Sequence, residues 1–188
     1  MQESKVRAFI AIDLPEEIRS GIAEASERLA SHGIKQVGRD QLHITMFFLG
    51  YLDLGQVEGV KALLSRLSVR RFPVSLGGVG TFDADRPRVV FVNITKGAKE
   101  LEDIYARLSG GISALRIRMD ERGFAPHLTI ARVKGFSGRE ADAVKAFMSE
   151  FEGHDFGSFA CCSIRLKSSV LTRAGPKYAD LFVKELPA

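Results

Sequence analysis

The sequence predicts an α+β fold: one compact unit of two lobes, a single domain over residues 1–188. Three observations predict it. The order strand–helix–motif strand–helix–strand occurs twice along the chain. The motif has the form His, apolar, Thr, apolar, and it recurs at His43-Ile44-Thr45-Met46 and His127-Leu128-Thr129-Ile130, with the histidines 84 positions apart. No linker rich in Pro, Ser or Gly separates the two runs, so the halves of an ancient duplication are expected to pack as one body.

Each element has a local reason. Val6 to Ile12 alternates and is rich in branched residues, which predicts a first strand. Asp13-Leu14-Pro15-Glu16-Glu17 reads as a helix start, with Asp or Leu near the cap and acids in the first turn. Ile18, Ile22, Ala25 and Leu29 continue it at helical spacing to a stop at Ser31-His32-Gly33, which leaves His32 as a capping or surface histidine. Lys35 to Gly38 reads as a short strand, and Gln41 to Gly50 as the first motif strand. Asp53 to Val69 is expected to be a second helix that buries Val57, Val60, Leu63, Leu64 and Leu67. Phe72 to Phe82 and Arg86 to Thr95 form a hairpin around a turn-rich connector, with Gly77-Gly78-Val79-Gly80 as a bulge.

The second half repeats the order. Gly97 to Leu115 reads as a third helix, with Leu101, Ile104, Tyr105 and Leu108 inward, and Pro126 to Val133 as the second motif strand. Ser137 to Phe151 is a fourth helix, with Ser137 as N-cap and Glu140 completing a capping box. Phe159 to Thr172 and Tyr178 to Leu186 are strands, and His154 falls in a loop before them.

Composition narrows the function classes. The 45% apolar and 27% charged content is that of a soluble globular chain able to bury a core. A net charge of +4, dispersed but for Arg116, Arg118 and Arg122 and the run from Arg165 to Lys177, favours an anionic partner. The adjacent Cys161 and Cys162 suit neither a disulfide nor a zinc site and read as small strand residues. Met1 to Ser4 leads directly into a strand, without a secretory leader, and no apolar run reaches the roughly 18 residues of a membrane span. A cytoplasmic, monomeric protein without membrane attachment is expected.

Chemistry concentrates in the two motifs. The chain has four His and five Thr. Two of four histidines followed two places on by Thr is a coincidence of about 0.4% at this composition. Strand side chains alternate faces, so His43 shares a face with Thr45, and His127 with Thr129. Two imidazoles can divide acid and base duties near neutral pH, and Thr hydroxyls can hold phosphate oxygens as charge develops. No carboxylate cluster suggests a metal, and no nucleophile elbow appears. The residues therefore point to phosphoryl chemistry with an activated water or hydroxyl, without metal or cofactor.

These motifs, with Phe9-Ile10-Ala11-Ile12-Asp13-Leu14-Pro15 at the start and Phe47-Phe48-Leu49-Gly50 and Ala131-Arg132 following them, resemble the 2H phosphoesterase superfamily. The resemblance covers essentially the whole chain and is nearest to the bacterial and archaeal RNA 2',3'-cyclic phosphodiesterases, once called 2'-5' RNA ligases. It implies a pseudo-twofold fold in which antiparallel sheets line a central cleft and helices lie outside. The implied reaction is hydrolysis of an RNA 2',3'-cyclic phosphate end to a 2'-phosphate, by His43 and His127, with Thr45 and Thr129 on the phosphate. One of the two histidines activates water and the other protonates the departing 3'-oxygen; the order His127 as base and His43 as acid is preferred, and the opposite order stays open. Arg132 matches a family position for neutralising phosphate, although strict alternation points it away from His127. Phe47 stands where the family often carries Lys, on the face of His43 and Thr45, and with Phe9 it is a candidate platform for a base. Two other readings remain open: joining of tRNA halves through a 2'-5' bond, and RNA-end binding without turnover.

Overall fold

The computed structural model describes residues 5–29, 33–119, 123–134, 138–173 and 175–188. The elements run β1 (Val6–Asp13), α1 (Glu16–Glu27), β2 (Lys35–Gln36), β3 (His43–Leu52), α2 (Leu54–Arg66), β4 (Phe72–Thr81), β5 (Val89–Lys96), α3 (Ala98–Ala114), β6 (His127–Arg132), α4 (Gly138–Glu150), β7 (Asp155–Cys161), β8 (Ser163–Thr172) and β9 (Gly175–Glu185). A three-residue 3-10 turn, Arg39–Gln41, leads into β3.

Two antiparallel sheets result, one ordered β3-β1-β8-β9 and the other β2-β6-β5-β4-β7. Apart from the short β2, the orders correspond: a motif strand, then β1 or β5, then two further strands. The motif strands β3 and β6 lie beside each other where the sheets meet. The lobes are not the two halves of the chain, because β8 and β9 complete the N-terminal sheet while β2 and β4 belong to the other. Helix α2 covers β3, β8 and β9, whereas α1, which follows β1, packs on β6 and β7 of the opposite sheet. This exchange of elements locks the lobes together, and one buried cluster from Ala8 to Leu186 runs through both.

Local chemistry accounts for the elements. Asp53 caps α2 by accepting from the Gln56 N–H at 2.8 Å, while the Gln56 side chain accepts from the Asp53 N–H, a reciprocal capping box. Gly97 starts α3 at φ 88°, where a Cβ would lie 2.6 Å from the Pro73 carbonyl oxygen. Close approach of α2 to α3 depends on Gly59 and Gly111, whose missing side chains leave room for Leu115 and Leu63. The β4–β5 hairpin forms, and its register slips between Gly77 and Val79, with Gly78 at φ 62°, as the bulge reading requires.

Three expectations are corrected. The first helix is capped by the Pro15 backbone with no side-chain hydrogen bond, because the Asp13 carboxylate is instead paired with Lys167 at 2.7 Å and Arg165 at 3.2 Å. The stretch Phe159 to Thr172 is not one strand. It breaks at Cys162, where the chain leaves the edge of one sheet and enters the middle of the other. Phe47 does not share a face with His43, for the reason given below. His32 and Ser137 lie outside the described residues.

Candidate active site

The two motif strands are built alike to the residue. From His43 to Phe48 the side chains run half-buried, buried, half-buried, buried, buried, exposed, and from His127 to Arg132 the run is identical. The cause is a bulge at the same place in each. Across β1, Ala11 faces Thr45 and Ile10 faces Phe47, so Met46 is the extra residue. Across β5, Phe91 faces Thr129 and Val90 faces Ala131, so Ile130 is the extra residue. A bulge sets two residues against one, and every side chain beyond it changes face.

This single irregularity relocates two predicted residues. Phe47 turns away from the cleft, is 4% exposed, and stacks on Tyr105 of α3 at 4.3 Å between ring centroids. Phe48, 59% exposed, takes its place beside His43. Arg132, the counterpart of Phe48 in the other motif, is turned onto the face of His127 and Thr129 by the bend at the Ile130 bulge, without a long reach. His43, Thr45, Phe48, Thr129 and Arg132 line one cavity. Lys35 faces Arg132 across the β2–β6 pair and adds a second cation to the wall. Among the described residues no carboxylate forms an ion pair with Arg132. Phe9 is 5% exposed and packs beneath the His43 ring at 4.9 Å, so it supports the imidazole.

Both histidines are held in one way. His43 Nδ1 lies 2.7 Å from the Gln41 carbonyl oxygen, and His127 Nδ1 lies 2.7 Å from the Ala125 carbonyl oxygen, each two residues upstream. A carbonyl only accepts, so Nδ1 carries the proton in both rings and Nε2 is the nitrogen left for chemistry. The rings are braced by aromatics: His43 by Phe9 and Tyr178, His127 by Phe82 at 5.0 Å and Phe91 at 5.2 Å. Burial lowers the His43 pKa to about 4, against the Gln41 hydrogen bond and the Asp13 carboxylate, which favour its charged form. Burial also lowers the His127 pKa, and the Arg132 guanidinium depresses both rings. One cation therefore acts on both imidazoles.

The floor beside His43 is an ion-pair network. Lys167 bridges Asp13 at 2.7 Å and Asp180 at 2.9 Å, and Arg165 pairs with both carboxylates. Burial opposes ionisation of Asp180, but Lys167 and Arg165 together hold its carboxyl below the ordinary carboxylate range. Among the described residues, no group of three or more His, Cys, Asp or Glu side chains comes together in a metal-binding arrangement. No helix among them is long and apolar enough to cross a membrane.

Comparison with known proteins places this architecture. The model of the 2'-5' RNA ligase superfamily matches residues 14–166. This chain belongs to that superfamily. An Archaeoglobus fulgidus protein named RNA 2',3'-cyclic phosphodiesterase is 34% identical over 96% of this chain and 100% of its own length. A Methanocaldococcus jannaschii protein of the same name is 35% identical over 92% of this chain and 96% of its own. Among solved structures, a Thermus thermophilus protein superposes with a TM-score of 0.79 at 30% identity, covering 96% of this chain and 97% of its own. In fold, Escherichia coli LigT, solved with 3'-AMP, matches with a TM-score of 0.81 over 98% of this chain and 100% of its own.

For this superfamily member, sequence reasoning missed Phe48, Lys35 and Tyr178. The signal for Phe48 was present in the equal spacing of His43 to Phe48 and His127 to Arg132. With equal spacing, Arg132 facing the cleft implies that Phe48 faces it too. Tyr178 reaches the site from β9 and carries no local signal.

Proposed function

We propose that this protein hydrolyses RNA 2',3'-cyclic phosphate ends to 2'-phosphate ends by paired histidine acid/base catalysis, without a metal ion. The observation that carries the proposal is the repeated geometry: two imidazoles, each fixed through Nδ1 with Nε2 free, on motif strands that also bring Thr45, Thr129 and Arg132 to one cavity. The names of its relatives support the same reaction.

In the proposed reaction a neutral Nε2 takes a proton from water as the water oxygen attacks phosphorus. The bond from phosphorus to O3' breaks, and the second histidine gives its Nε2 proton to O3'. The products are a 2'-phosphate and a 3'-hydroxyl, and the two histidines exchange one proton through solvent to reset. Thr45 and Thr129 donate to the non-bridging oxygens and Arg132 neutralises their charge. The exposed Phe48 ring offers the terminal base a stacking surface.

Burial, deeper at His43 than at His127, supports His43 as the base. With a pKa of about 4, His43 is charged in about one molecule in 1,000 at pH 7. It suits the base, which must be neutral, and His127 is then the acid. The superfamily's name refers to ligation, which uses the same groups with a 5'-hydroxyl in place of the attacking water: its oxygen bonds to phosphorus, O3' again leaves with a proton from the acid, and a 2'-5' bond results.

The test is direct. Protein in chelator, given a dinucleotide ending in a 2',3'-cyclic phosphate, is expected to release the 2'-phosphate. His43→Ala and His127→Ala are each expected to lower the rate by about 10²–10⁴ or more. Tight binding without product would overturn the enzyme reading, and full activity in either mutant would overturn the two-histidine mechanism.

A further inference from the structure

We propose that the cleft face of the four-stranded sheet, beyond the phosphate cavity, holds the second nucleotide of the RNA. Tyr51 stacks on its base, and Arg7 binds the phosphate joining it to the terminal nucleotide. The inference rests on the cyclic phosphodiesterase reading and adds a polymer substrate to it.

Register places these residues. Strand β1 pairs with β8 without irregularity, so Arg7, Phe9 and Ala11 share a face. Arg7 lines a recess with Phe9, His43, Phe48, Ser169 and Tyr178, which identifies that face as the cleft. Tyr51 is the cross-strand partner of Arg7, while its neighbour Leu52 is buried in the core. A second slip of register, between Ala8 and Phe9, leaves Leu49 as an extra residue of β3 and returns Tyr51 to the side of Phe48.

Three properties then converge. Tyr51 is 65% exposed, close to the 59% of Phe48, so two large rings on one strand stand in water on one face. Arg7, opposite Tyr51 on the neighbouring strand, lines the recess that Phe48 also lines; it donates to the Ser169 hydroxyl on β8 at 3.4 Å and, among the described residues, forms an ion pair with no carboxylate. Two exposed rings on one strand with a guanidinium beside them on the next offer a single RNA strand two base platforms and a phosphate contact. A strand whose last phosphate sits between His43 and His127 must continue over an open face, and this one begins at Phe48.

The experiment compares a mononucleoside 2',3'-cyclic phosphate with a dinucleotide carrying the same terminal base. The dinucleotide is expected to have the higher kcat/KM. Tyr51→Ala is expected to lower the dinucleotide value about 5- to 150-fold, the equivalent of one lost stacking contact, while the mononucleoside value stays unchanged. Tyr51→Phe keeps the ring and is expected to keep the dinucleotide rate. Arg7→Gln is expected to flatten the log–log salt dependence of dinucleotide kcat/KM by about 0.7. Equal kcat/KM for both substrates overturns the proposal, as does an equal loss on both in Tyr51→Ala. A dimer that dissociates in Tyr51→Ala overturns it too, because the platform is then a contact between copies. If neither substrate turns over, the parent reading fails, and calorimetry with a dinucleotide 2'-phosphate decides this one separately. Weaker binding by Tyr51→Ala supports the subsite, and unchanged binding removes it.

Discussion

The pH dependence of kcat/KM is the most informative measurement on the two histidines, since it reports the free protein described here. Burial takes His43 from an ordinary 6.5 to about 4 and moves His127 in the same direction. The sign is the same for both rings: a lowered pKa means that the charged form exists only at lower pH. The base works above its pKa and the acid below its own, so the profile is a bell whose limbs belong to the pair. With both values depressed, the maximum is expected on the acid side of 6.5, the rising limb turning near pH 4. Above pH 6.5 the rate is expected to fall as the acid loses its proton. Asp13 is a carboxylate that favours the charged form of His43. Asp13→Asn removes it and is expected to move the limb that His43 controls further toward low pH. The assay is kcat/KM on a cyclic dinucleotide between pH 3.5 and 9, with a solvent isotope effect showing that proton transfer limits the rate. A rising limb at or above 6.5 under those conditions would refute the argument that burial sets these pKa values.

Three further outcomes follow from the bulged strands. Phe47→Lys places an unpaired ammonium in the stack with Tyr105 and is expected to destabilise the fold by about 3 kcal/mol or more, read by urea unfolding. Phe48→Lys, on an exposed ring one residue later, is expected to stay within about 0.5 kcal/mol of the parent. Arg132→Lys keeps the charge but loses the planar fork. It is expected to lower kcat/KM by about 10-fold or more, whereas a change within twofold would remove Arg132 from the phosphate site.

The sequence by itself determined most of the element types and singled out the residues of the candidate site. Apolar periodicity located the helices, the glycine cluster located the bulge in β4, and the two His-x-Thr stretches singled out His43, Thr45, His127 and Thr129. These signals are legible because period and spacing are local properties of the chain. Only the tertiary structure decided which faces Phe47, Phe48 and Arg132 occupy. A bulge is an excess of one residue over a partner strand, and Met46 and Ile130 become excess only against β1 and β5. The exchange of β8 and β9 into the first sheet was hidden for a similar reason, since a strand's sheet depends on its partners. The proton placement on both imidazoles came last. It needed the Gln41 and Ala125 carbonyls at 2.7 Å and a measure of burial, and both exist only once the two motif strands are folded side by side.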